Sequence, residues 1–146
     1  MFPGFVNIQS VWDVLPPGIH DVTMDEIEQH FASNNVRKKL FDGLKQAVFN
    51  LQQAGCSHIF LDGSFVTKKE NPGDYDVCWD PTGVDTHKLD PVFLDFTNQR
   101  RRQKIKYGGE FFPSSACADG TQTFLEFFQI DKYTGNQKGL IRIRLP

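Results

Sequence analysis

Gly63-Ser64, nine intervening residues and then Asp74-Tyr75-Asp76 place a tight turn ahead of two alternating carboxylates. Side chains at i and i+2 of a β-strand share a face, so Asp74 and Asp76, read as lying on one strand, would turn their carboxylate oxygens toward one point. Oxygen donors in that arrangement suit Mg²⁺ or Mn²⁺. Mg²⁺ is usually held by one or two carboxylates and completes its shell with water and substrate phosphates. Gly63 lets the backbone approach a ligand closely, and Ser64 offers a hydroxyl and an N–H to a phosphate oxygen. Lys68 and Lys69, in the loop between the two motifs, supply charge for the same purpose.

The elements that must position these groups are legible as patterns. Ser57 to Leu61 and Tyr75 to Trp79 are short apolar runs and read as strands, while Thr67 to Gly73 is polar, ends in Pro-Gly and reads as a loop. Upstream, Thr23-Met24-Asp25-Glu26 has the form of a capping box, which predicts a helix carrying Met24, Ile27 and Phe31 on its apolar side. A break near Asn34-Asn35 precedes a second helix over Val36 to Ala54, with Val36, Leu40, Phe41, Leu44, Val48 and Leu51 as its buried stripe and Gly55 as its stop. Residues 1–22 read as an irregular arm, Pro-containing up to Gly18.

Downstream, a helix beginning near Leu89 or Pro91 takes in Val92, Phe93 and Phe96. Arg100, Arg101, Arg102, Lys104 and Lys106 put five cations in seven residues. They form either a solvated helix face, the commoner arrangement, or a basic rim that contacts a triphosphate or an acceptor polyanion. Lys106 to Pro113 reads as a strand. On it Glu110 stands alone among apolar and small residues, and either meets a metal or faces water on the open side; Asp80, Asp119 and Glu126 are other candidate acids, of which Asp80, in a turn, and Glu126, in a helical stretch, fit less well. Thr121 to Gln129 predicts a helix. Leu140 to Leu145 alternates strictly and reads as an edge strand whose Arg142 and Arg144 keep the exposed face soluble or bind an acceptor. Lys138 is a further candidate phosphate contact, and His58 reads as structural.

Gly63-Ser64 followed by Asp74-Tyr75-Asp76 resembles the signature of the nucleotidyltransferase superfamily, which includes DNA polymerase beta, CCA-adding enzymes and kanamycin nucleotidyltransferase. Leu15 to His20, Gly63 to Thr67 and Lys138 to Ile143 extend the likeness to a small bacterial family of nucleotidyltransferase-like domains. The resemblance implies an α+β fold: a small mixed β-sheet flanked by helices, with two helices ahead of the Gly-Ser strand. It also implies that the Gly-Ser turn contacts a triphosphate, that Asp74 and Asp76 bind two Mg²⁺ (or Mn²⁺) ions, and that a third acid from a later strand completes the site. Glu110 is the residue placed in that third position.

The expectation is therefore a single domain over residues 1–146 that moves a nucleoside monophosphate from a nucleoside triphosphate to an acceptor hydroxyl. The acceptor, whether protein, RNA or small molecule, is not written in the sequence, and a helical partner protein or a second copy could supply its surface. A non-catalytic nucleotide-binding or interaction module, such as a toxin–antitoxin component, stays open. A glycosyltransferase built on Asp-x-Asp fits less well, because the chain is short for two substrate sites. The formal charge of −2 gives no global attraction to nucleic acid. Cys56, Cys78 and Cys117 lie too far apart for a zinc knuckle. Neither a signal segment nor an apolar run of membrane-spanning length is present, so a soluble cytoplasmic protein is expected.

Overall fold

The computed structural model describes residues 1–116, 118 and 120–146; Cys117 and Asp119, both named above, lie outside the described residues. The chain is a mixed α+β structure. Its elements run β1 (Gly18–Asp21), α1 (Met24–Phe31), α2 (Asn35–Gln53), β2 (His58–Asp62), β3 (Tyr75–Trp79), α3 (Thr97–Tyr107), β4 (Gly109–Pro113), α4 (Phe124–Phe127) and β5 (Gly139–Arg144), with short 3-10 turns at Ser64–Val66 and Pro91–Leu94. Among the described residues, no helix is long and apolar enough to cross a membrane.

The two N-terminal helices start where side chains satisfy their first backbone N–H groups. Thr23 and Glu26 close a reciprocal capping box on α1, and the Asn34 side chain accepts from the Arg37 N–H at the start of α2. The buried stripe of α2 departs from the expected one at its first turn. Val36 is 43% exposed and Arg37 is buried, because the helix turns its guanidinium side toward the loop that follows β2.

Five strands form one mixed sheet in the order β1-β5-β2-β3-β4. β5 runs parallel to β1 and antiparallel to β2, β2 is antiparallel to β3, and β3 is parallel to β4. Strand alternation then sorts the side chains. Ile59, Leu61, Tyr75, Val77, Phe111, Ile141 and Ile143 join Ile27, Phe31, Leu40, Phe41, Leu44 and Leu51 of α1 and α2 in the main core. On the opposite face Phe60, Cys78, Phe112 and Leu140 form a smaller cluster against Phe124, Leu125 and Phe128. The positions that continue this second face toward one end of the sheet are Asp62, Asp76 and Glu110.

Several boundaries differ from the sequence pattern for identifiable reasons. The N-terminal arm contains β1, and its first residues are anchored, with Phe2 and Phe5 edge-on to Phe31 at 5.4 and 5.8 Å. Helix α3 runs on to Tyr107 and is closed by Gly108 in the left-handed conformation, so β4 starts later than Lys106. Gly109 has no room for a side chain, since a Cβ there would lie 2.5 Å from the Tyr75 ring. The helix expected over Thr121 to Gln129 is only Phe124–Phe127, capped by Thr123.

β5 is an interior strand, whereas the alternation of Leu140 to Leu145 suggested an edge. Its arginines are consumed within the sheet: Arg142 Nε and Nη2 donate to Asp21 Oδ1 and Oδ2 on β1 at 2.7 and 2.9 Å, and Arg144 Nε lies 3.4 Å from Asp21 Oδ1. The hydrogen bond from Arg142 is the main cause that lowers the Asp21 pKa to about 2. A lowered carboxylate pKa means the folded state binds fewer protons than the unfolded state. The Asp21 contribution to stability is thus complete above its ordinary value of 3.8 and is lost as pH falls toward about 2. An NMR titration should show the Asp21 carboxyl turning over near the lower value, and an Arg142→Gln variant should return it toward the ordinary one. An unchanged midpoint in that variant would disprove the pairing.

Candidate functional site

The register of three adjacent strands builds the site. Asp62 on β2 sits opposite Asp76 on β3, and Asp76 sits beside Glu110 on β4, so three acids form a row across the sheet. Asp74 lies one residue before β3 begins, beyond the central Asp76 of the row. The expected strand therefore carries Asp76 but only adjoins Asp74.

Burial raises the proton affinity of Asp62, Asp74 and Asp76, and repulsion from neighbouring carboxylates adds to it at Asp74 and Asp76. Asp76 is pushed well above the usual carboxylate range by burial first, and then by the charges of Asp62, Asp74 and Glu110. Asp74 is raised by burial and by Glu110, against the pull of Lys104, Lys132 and Lys69. Burial also raises Asp62, although Lys138 Nζ donates to its Oδ1 at 2.6 Å. Glu110 is held by Lys104, whose Nζ lies 2.8 Å from Oε1, and more loosely by Arg100, whose Nη2 lies 3.5 Å from the same oxygen. Like charges at these positions are unfavourable without a cation between them.

Gly63 fits this geometry for a reason of space and of backbone. It has φ +92°, and a Cβ there would lie 3.0 Å from Asp76 Oδ2 and 3.2 Å from the Asp76 N. The turn after β2 thus runs directly against the central carboxylate. Ser64 opens the following 3-10 turn, and its carbonyl accepts from both the N–H and the hydroxyl of Thr67.

Arg37 fixes the loop beyond that turn. Its Nη1 donates to the carbonyls of Phe31 and Phe65, its Nη2 to those of Thr67 and Lys69, and its Nε to that of Glu70. All five guanidinium N–H groups are thereby used. Among the described residues no carboxylate takes part; carbonyl dipoles and the face of Phe65, whose centroid is 5.4 Å away, balance the charge, and burial lowers its pKa. The Asn34 side chain adds a bond to the Glu70 carbonyl at 2.8 Å.

The two loop lysines diverge. Lys69 stands over the Trp12 ring, 5.8 Å from its centroid, and its charge reaches Asp74. Lys68 instead places its ammonium over Phe5 at 5.7 Å, on the N-terminal arm. The run from Arg100 to Lys106 also splits: Arg100 and Lys104 face Glu110, whereas Arg102 pairs with Asp95 at 3.3 Å and Lys106 with Asp90. Lys138, expected as a phosphate contact, is the counter-ion of Asp62. Of the weaker third-acid candidates, Glu126 is engaged in the Thr123 capping box, and Asp80 accepts from the Thr82 N–H and lies 3.7 Å from His58 Nε2.

The approach to Glu110 is strained. Asn98, Gln99 and Arg100, within the first turn of α3, have φ of +50°, +56° and +62°. The left-handed conformation costs an L-residue roughly 1–2 kcal/mol, and consecutive non-glycine residues rarely share it. The Arg100 guanidinium carbon sits 4.8 Å from the Phe112 ring centroid, and its buried Nε has no hydrogen-bond partner among the described residues.

Asp62, Arg37 and Lys132 were missed as site residues by sequence reasoning. Asp62 carried a signal, being a carboxylate that ends an apolar strand directly before Gly63-Ser64. Arg37 and Lys132 carried none, because the carbonyls of Phe65 and Thr67 that Arg37 meets and the Asp74 charge that Lys132 acts on belong to a segment distant in sequence.

The donor set is all oxygen, with more carboxylate charge than the facing ammonium groups neutralise at Asp76, and this is the chemistry that a hard divalent cation fits. Among the described residues, no three His, Cys, Asp or Glu side chains converge on one point as a ready cage. Any bound ion would draw further ligands from water or from a substrate. Two surface clefts, of about 430 Å³ beside Asp21 and Arg142 and about 730 Å³ beside Phe49 and Tyr107, contain none of these acids.

The chain belongs to the Family of unknown function (DUF6932), which matches residues 8–144. No curated protein and no solved structure matches it.

Proposed function

We propose that the protein is a metal-dependent nucleotidyltransferase on a nucleotidyltransferase-like fold, moving a nucleoside monophosphate from a nucleoside triphosphate to an acceptor hydroxyl. The observation that carries this reading is the row Asp62-Asp76-Glu110, with Asp74 just ahead of β3 and the Gly63-Ser64 turn packed against the central Asp76. The resemblance of the Gly-Ser and Asp-x-Asp motifs to that superfamily supports it.

Asp74, Asp76 and Glu110 would hold Mg²⁺ or Mn²⁺. Such ions, two in the full site, supply Lewis-acid activation of the acceptor hydroxyl and neutralise the charge that develops on the leaving pyrophosphate. The backbone N–H groups and hydroxyl of the Gly63-Ser64 turn would position the triphosphate, with Lys69 adding charge at its edge. Lys138 keeps Asp62 neutralised, so the carboxylates left to a metal are Asp74, Asp76 and Glu110. In the reaction the acceptor oxygen bonds to the α-phosphorus as the bridge to the β-phosphate breaks and pyrophosphate leaves.

One observation favours a second reading. Glu110 is already met by two cations, as it would be in a nucleotide-binding or interaction module that performs no transfer. Glu110→Gln separates the two. If Glu110 holds an ion that activates the acceptor, this variant should still bind nucleoside triphosphate with Mn²⁺, while movement of label from an α-³²P nucleoside triphosphate into lysate fractions falls by about a hundredfold or more. A variant as active as the wild type removes Glu110 from the site. Tight nucleotide binding by the wild type with no label moved to any fraction supports the binding module.

A further inference from the structure

Two cations share one oxygen of Glu110, and they do so on unequal terms. Lys104 makes the shorter contact to Oε1 from the regular part of α3, whereas Arg100 reaches the same oxygen at 3.5 Å from a backbone held in the left-handed region. Among the described residues, Arg100 also leaves its buried Nε without an acceptor. What retains it is the Glu110 charge and the face of Phe112 beneath the guanidinium, 4.8 Å from the ring centroid. A guanidinium held by one loose ion pair and one ring face, on a side chain 27% exposed, can pivot over the ring. Its planar fork suits phosphate oxygens better than a single carboxylate oxygen does.

We propose that Arg100 is a two-position cation, paired with Glu110 in the ligand-free protein and released to the polyphosphate of the ligand when a divalent ion takes Glu110. Arg100 has this role only if the acid row is a metal site, as proposed above. The ligand class follows from the chemistry: a chain of phosphates beside the metal, long enough to lie between the Gly63-Ser64 turn and the first turn of α3. Relaxation of the left-handed run at Asn98 to Arg100 would accompany the release.

The full chain is tested with Mn²⁺ alone, and then with inorganic tripolyphosphate at saturating Mn²⁺, by calorimetry. Arg100→Gln should bind Mn²⁺ alone about threefold more tightly or better, because a competitor for Glu110 is gone. The same variant should bind tripolyphosphate about tenfold more weakly, the worth of one charge-assisted contact. Arg102→Gln, which removes an equal charge that faces Asp95, should change neither. Arg100→Lys keeps the charge but loses the fork, and should weaken tripolyphosphate alone; it decides the matter if Arg100→Gln does not fold.

Opposite shifts confined to Arg100 support the proposal. In Arg100→Gln, shifts in one direction or no shift overturn it, as do equal effects from Arg102→Gln or an unaltered tripolyphosphate affinity in Arg100→Lys. Mn²⁺ binding that is undetectable, or unaltered by Asp76→Asn, overturns the metal site and Arg100's role together. Binding that requires Asp76 but is indifferent to Arg100 overturns only the latter.

Discussion

Asp76→Asn is expected to abolish Mn²⁺ binding and nucleotidyl transfer and, in the same variant, to raise the melting temperature of the metal-free protein. Asp76 stands between Asp62 and Glu110 in the sheet, with Asp74 nearby, and burial and these three charges all disfavour its ionised form. Asparagine keeps the volume, removes one repelling charge and brings an amide that can donate to the neighbouring carboxylates. About 1 kcal/mol moves the midpoint of a domain of this size by roughly 2–4 °C, so a rise of that order is within reach of thermal denaturation. Transfer should fall by on the order of 10³ or more, as when preorganised electrostatic stabilisation is removed. A stabilised variant that no longer binds metal is the signature of a residue retained for chemistry at the expense of the fold. A variant less stable than the wild type would mean that Asp76 serves the structure.

Arg37→Lys should be among the most damaging conservative changes in the molecule. Lysine keeps the charge but has three donors on a point-like ammonium, and cannot reach the carbonyls of Phe31, Phe65, Thr67, Lys69 and Glu70 together. Each buried acceptor left unpaired costs about 1–3 kcal/mol, and part of that is recovered where water enters. A net loss of about 3 kcal/mol, or roughly 10 °C in the midpoint, is expected. The loop from Thr67 to Gly73 should become the first site of proteolytic cleavage, and nucleotide affinity should drop because Ser64 and Lys69 lose their frame. A midpoint within 2 °C of the wild type, on the scale of roughly 2–4 °C per kcal/mol, would show that carbonyl coordination by Arg37 is dispensable.

Much of the fold was legible because its signals are local. The capping box at Thr23 and Glu26, the apolar spacing through Leu40, Leu44 and Leu51, and the short apolar runs of β2 and β3 depend on neighbours within a few residues. The same locality explains the errors. Strict alternation in β5 tells that its two faces differ, but it does not tell which strands flank it, so an interior strand read as an edge. Arg37 broke the apolar stripe of α2, and a charged residue there looks solvated until the partner loop is placed. The site divides in the same way. Asp74, Asp76, Gly63 and Ser64 lie within one short segment, and Glu110 could be named because a lone acid in an apolar strand is conspicuous. Asp62 needed the register of β2 on β3, and the pairing of Arg100 and Lys104 with Glu110 needed the turn of α3.

The interior place of β5 has a consequence for how the molecule is made. β1 belongs to the sheet only through β5, and Asp21 meets Arg142 across 121 positions of sequence. On a ribosome, β1 would wait through the synthesis of every other element with no strand to pair with, and Asp62 would wait 76 positions for Lys138, the residue just before β5. The helical layer and the β2-β3-β4 portion can assemble beforehand, since their contacts close over shorter loops. The acid row is therefore complete as a set of carboxylates before its buried counter-ion arrives. During that interval Lys69, Arg100 and Lys104 already face Asp74 and Glu110 while Asp62 lacks Lys138, so nascent chains stalled before residue 138 should gain more stability from added divalent ions than the finished protein does.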